Sequence, residues 1–102
     1  MEGDILIKVH KTYRRVVAIC DAGLVGQTLE EGEKQLEVSK NFFGGDVVNG
    51  ASFRDIVSDC LDEDATFFVV GEKSVEMSKD IGLISEEGVG KIDSVPFALV
   101  LL

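Results

Sequence analysis

The sequence predicts an α+β fold in one domain, residues 1–102: a mixed sheet with an N-terminal β-hairpin, a C-terminal β-α-β unit and two main helices. Three patterns carry this. Two apolar runs, residues 5–9 and 16–20, flank a polar stretch of hairpin-loop length. Phe53, Ile56, Val57, Cys60 and Leu61 recur at the spacing of one helix face. The near-continuous apolar run ATFFVV, residues 65–70, has the composition of a strand covered on both faces, and a second helical pattern separates it from another apolar run.

The elements follow in order. Ile5, Leu6, Ile7 and Val9 make the first strand, and residues 16–20 the second, with residues 10–14 as the loop between them. Residues 21–26 are small and turn-forming, with room for one helical turn, and residues 28–34 are polar and broken by Gly32. Leu36, Val38, Phe42 and Phe43 indicate a strand or bent hairpin. Gly44–Gly45–Asp46 closes it, and the paired glycines predict a sharp reversal with positive φ. Ser52 is the expected N-cap of the first main helix, with Asp55 three residues on. That helix ends in the acidic run 62–64, which opposes its dipole. Strand 65–70 stops at Gly71, and residues 72–81 form the second helix with Val75, Ser78 and Ile81 inward and Gly82 past its end. Lys91 and Ile92 make a brief strand. Residues 95–102 are a buried final strand entered through Pro96, a residue tolerated only near a strand's start. Strand 65–70, helix 72–81 and strand 95–101 form a crossover that is right-handed if its strands are parallel.

Nineteen acidic residues against ten basic ones give a net charge of −9. Residues 1–15 carry a net +2, so the remaining 87 carry −11. Such a body repels nucleic acid and anionic membranes at long range. No apolar run approaches the roughly 20 residues of a membrane span, and the expected location is the cytoplasm. Cys20 and Cys60 stand 40 positions apart in no CxxC motif, and the single His10 cannot complete a four-ligand zinc site. Two buried thiols, no metal and no cofactor are expected.

Several segments together resemble a family. They are Val-Ala-Ile-Cys-Asp at 17–21, Leu36 to Val38 followed by Phe-Phe-Gly-Gly at 42–45, Val-Gly-Glu-Lys-Ser-Val at 70–75, Ile-Gly-Leu-Ile at 81–84 and Ser-Val-Pro-Phe-Ala at 94–98. In order and spacing the chain is similar to the small archaeal proteins grouped as domain of unknown function 424. The resemblance implies an archaeal cytosol, which suits the acidity, and leans towards translation or RNA. It implies no activity. The family pattern has Gly, His and Asn where this chain has Ser94, Phe97 and Val69, so any family site built on those positions is altered here.

Two candidate sites stand out. Lys8, His10, Lys11, Arg14 and Arg15 crowd around Tyr13 on the first hairpin, where cations meet a ring able to stack on a base. The partner expected for them is RNA, a ribosomal particle or an acidic protein surface. The plainer alternative is that these cations neutralise nearby carboxylates. The second candidate is Gly71, Lys73 and Ser74 at a strand-to-helix turn, where free amides attract an anion or nucleotide phosphate. Against it, one glycine is no phosphate loop, and Glu72 places a negative charge there. No set of residues reads as catalytic. One His excludes most His-based triads, the acidic runs 30–31, 62–64 and 86–87 read as solvated loops, and Asp21 beside Cys20 disfavours a thiolate. The apolar residues 97–102 either occupy the middle of the sheet or pair two copies as a homodimer.

Overall fold

The computed structural model of the chain describes residues 4–11 and 13–101. Among these, eight strands and three α-helices follow in order: β1 (Ile5–Lys11), β2 (Arg15–Asp21), β3 (Thr28–Glu31), β4 (Lys34–Glu37), α1 (Lys40–Phe43), β5 (Asp46–Val48), α2 (Gly50–Leu61), β6 (Thr66–Val70), α3 (Glu72–Asp80), β7 (Gly90–Ile92) and β8 (Val95–Val100). Six strands form one mixed sheet in the order β5-β1-β2-β6-β8-β7, and β3-β4 is a separate hairpin. The architecture is α+β, as expected.

Period-two alternation decides which side chains go where. Ile5, Ile7, Val17, Ile19, Phe67 and Val69 point to one face and bury Phe53, Val57 and Cys60 of α2 and Val75 of α3. Ala18, Cys20 and Val70 point to the other, beneath Leu29, Val38 and Phe43 from the β3-β4 hairpin and α1. Three layers result, with β2 and β6 at the centre. Val17, Ile19, Phe67 and Val69 are wholly buried. The continuous apolar run of β6 is explained by cores on both sides of it.

Several local expectations give way to tertiary packing. Residues 28–34 are not a polar break, and Leu36 lies on a strand as expected. They form the β3-β4 hairpin, turning at Gly32 (φ 64), with Leu29 opposite Leu36. Phe42 and Phe43 are not on a strand but on the one-turn helix α1, whose N-cap Ser39 accepts from the Phe42 amide at 3.3 Å. Their rings meet Phe68 edge-on, at centroid distances of 6.2 and 5.5 Å, which strand spacing would not allow for both. Gly44 has φ −79 and Gly45 no positive φ, so neither supplies a left-handed turn. Their need is steric. A Cβ on Gly45 would overlap the Ile7 carbonyl oxygen where the chain crosses β1.

The N-cap of α2 is Asn49, accepting from the Ser52 amide at 2.9 Å, and Ser52 lies inside the helix. The C-terminal β-α-β unit is present, but β6 and β8 run antiparallel. The crossover through α3 leads to β7, and a tight turn at Asp93 (φ 51) and Ser94 (φ 66) folds β8 back between β7 and β6. The parallel neighbours are instead β2 and β6. Ser94, where the family pattern has Gly, thus occupies a left-handed position suited to glycine. Residue 102, expected in the last strand, and Thr12, expected in the hairpin loop, lie outside the described residues.

Gly45→Ala is expected to cost about 1–3 kcal/mol, because backbone rather than a flexible side chain blocks the new methyl. Gly23→Ala, which meets nothing within 4 Å, is the control and should fall within about 0.5 kcal/mol of wild type in urea denaturation.

Candidate functional site

Strand alternation divides the basic cluster. Lys8 and His10 share the β1 face that looks towards α1, and Lys11 and Arg15, paired across the hairpin, look towards the helices. Lys8 Nζ donates to the Asn41 carbonyl at 2.6 Å. His10 Nε2 lies 2.8 Å from the Phe42 carbonyl, which only accepts, so that nitrogen carries the proton. The imidazole also stacks on the Phe42 ring at 4.7 Å and 16°. Both side chains thus serve the carbonyls at the end of α1, a favourable place for positive charge. Arg15 pairs with Glu63 after α2.

Lys11, Tyr13 and Arg14 lie at the tip. Tyr13 is 104% exposed. Tyr13, Arg14 and Arg15 line a depression of about 570 Å³ together with Glu63 and Asp64, so both signs of charge meet there. Glu63 and Asp64 were missed as members of this site, because nothing local to the run 62–64 places it beside residue 15.

At the α3 N-terminus the expected donors are present and already used. The Asp21 carboxylate accepts from the Ser74 amide and the Ser74 hydroxyl, both at 2.8 Å, and from the Lys73 amide at 3.2 Å. Gly71 (φ 113) is required, since a Cβ there would collide with that carboxylate. The anion expected at Gly71, Lys73 and Ser74 is therefore the chain's own side chain. The signal was available in sequence, because Asp21 ends the strand that runs beside 65–70, but the parallel pairing had to be known to read it.

Both cysteines are buried and unpaired. Burial, then the neighbouring Asp21 carboxylate, pushes the Cys20 thiol up to about 12. Burial and Glu63 push Cys60 up as well. Among the described residues no cluster of three or more His, Cys, Asp or Glu is placed to hold a metal ion, and no helix is long and apolar enough to cross a membrane. The three family-pattern departures do not converge. Val69 faces the helices, Phe97 faces the opposite side over Gly90, and Ser94 is in the β7-β8 turn.

Asp21→Ala should cost about 0.5–2 kcal/mol, the usual value of a lost helix cap, read as a lower urea midpoint. Neither thiol should react with a disulfide reagent at pH 8 until the chain unfolds. The unfolded Cys20 thiol ionises near 9 while the folded one holds its proton to about 12. Its contribution is thus complete below 9 and lost as pH rises through that window.

No curated protein matches the sequence. In structure the chain is similar to an uncharacterised conserved protein from Methanopyrus kandleri, known from a crystal structure, with a TM-score of 0.85 at 23% identity over 96% of this chain and 90% of that one. At that identity the likeness speaks to the fold alone. The model of the family described as "Protein of unknown function (DUF424)" matches residues 9–102, and the chain belongs to that family.

Proposed function

We propose that this is a non-enzymatic binding protein of the archaeal cytoplasm that contacts a protein partner through the tip of the β1-β2 hairpin. The observation carrying this reading is Tyr13, an aromatic side chain left fully exposed on a projecting turn beside Lys11 and Arg14. Tyrosine and arginine are the usual anchors of protein interfaces, because they bring area and polar tips at small entropic cost. The adjoining depression favours a polypeptide over a nucleic acid. Glu63 and Asp64 would face an RNA phosphate with like charge, whereas a protein can answer both signs. The partner face should carry a carboxylate for the Lys11–Arg14 side and a cation for Glu63 and Asp64.

The absence of a catalytic role is supported by what the reactive groups do. His10 is occupied by the Phe42 carbonyl and ring, and Cys20 is buried with its proton held.

A photo-crosslinking amino acid at position 13, expressed in the native host, should give protein adducts that Arg14→Glu diminishes by tenfold or more. The same probe at Val47, exposed on the far strand β5, should give none of them. Nucleotide adducts at position 13, or identical adducts at 13 and 47, would replace this reading with RNA contact or with none.

A further inference from the structure

We infer that the protein partner lays one amphipathic helix on the uncovered half of the sheet face beside the hairpin tip, its apolar stripe on Val16, Phe68 and Leu99 and a carboxylate on Lys8. This rests on the hairpin-tip reading and gives that partner a form. Strand pairing sets Lys8, Ala18, Phe68 and Leu99 in one row across β1, β2, β6 and β8. His10, Val16 and Thr66 make the next row towards the tip. By alternation these side chains share the face that carries Leu29, Val38 and Phe43. The β3-β4 hairpin and α1 cover that face incompletely. Ala18, beneath Phe43, is wholly buried, whereas Val16, Thr66 and Phe68 are half-buried and Leu99 is 52% exposed. Leu101, two residues on, is 72% exposed. On the opposite face the neighbouring residues Val17 and Phe67 lie wholly buried under the helices. One side of the same strands is thus finished and the other is not.

Size, chemistry and charge identify the occupant. Four strands span about 14 Å, and two rows take up about 7 Å along them. A single helix of about ten residues has that footprint. The half-buried Phe42 of α1, stacked on His10, walls the strip on one side, so the helix lies in a groove with residues three or four apart as its anchors. Aliphatic Val16 and Leu99 suit apolar side chains and offer a nucleic acid base no ring to stack on. In a body of net −9, strands β1, β2, β6 and β8 contain one carboxylate, Asp21, at the end away from the tip. Lys8 gives one of its three donors to the Asn41 carbonyl, in an exposed position, and has two left for a partner's carboxylate. A second copy of this chain does not supply the helix. The apolar stripes of α2 and α3 are spent in their own core, and two bodies of net −9 repel. The strip also adjoins the tip, since the His10–Val16 pair is followed by Lys11–Arg15 and then the turn. One partner can therefore touch both.

The test repeats the crosslinking at position 13 in the native host with substituted chains. Leu99→Lys should cut the yield of the protein adduct tenfold or more, and Val47→Lys, on the far strand β5, should leave it within about twofold. Leu101→Lys serves in place of Leu99→Lys if that variant melts early. Moved to position 99, the photo-crosslinker should capture the same protein, on a segment whose apolar residues recur three or four apart beside a carboxylate. An adduct at 13 that neither Leu99→Lys nor Leu101→Lys weakens would overturn the helix and leave the tip contact standing. Capture at 99 of RNA, of a second copy of this chain, or of a segment without that spacing would overturn it as well. No protein adduct at 13 in the otherwise unsubstituted chain would end both readings.

Discussion

The junction of Asp21, Gly71 and Ser74 holds the architecture together. Strand β2 ends in a carboxylate that lands on the first amides of α3, and the chain passes close enough to receive it only because residue 71 has no side chain. Through three hydrogen bonds the end of β2 is tied to the helix that follows its parallel neighbour β6. Parallel strands lack a short turn to set their register, so a polar tie at the shared end does what a hairpin does for antiparallel pairs. The same carboxylate satisfies donors that have no partner within the helix. Its neighbour Cys20 accordingly sits in a place hostile to a thiolate.

A second consequence of the topology is that the sheet is wider at one end. Strands β5 and β7 pair only with residues 5–7 of β1 and 95–97 of β8, both near the Asp21 junction. Towards the hairpin tip only β1, β2, β6 and β8 continue. That is the end where Tyr13, Leu99 and Leu101 are exposed, and where Glu63 and Asp64 close in on Arg15. The tied end is a scaffold, and surface left unsatisfied accumulates at the other. The contact proposed for the hairpin tip lies at that end, where exposed apolar area is what a partner would cover.

The basic cluster shows why charge counted along a chain differs from charge presented to a partner. Four cations and a histidine in eight positions look like one patch. A strand turns alternate residues to opposite faces, and each face then meets different neighbours. Lys8 and His10 support the carbonyls of a single-turn helix, and Arg15 answers a carboxylate beyond α2. A short helix such as α1 has little intrinsic stability, so donors brought from elsewhere matter more to it than to a long one.

Patterns with a local cause were legible in the sequence. The apolar runs 5–9 and 16–20, the 3.6-residue spacing from Phe53 to Leu61 and the turn after Ile81 report interactions between near neighbours, and each formed as read. The family resemblance was legible too. What tertiary structure alone decided is who answers whom across distance: Asp21 on Ser74, 53 residues away, and His10 on Phe42, 32 away. It also turned Phe42 and Phe43 from a strand into a helical turn, because two rings had to reach one phenylalanine of β6. Local spacing constrains backbone conformation, whereas a polar group's partner depends on strand order and register, which emerge only when the whole sheet closes on its two cores.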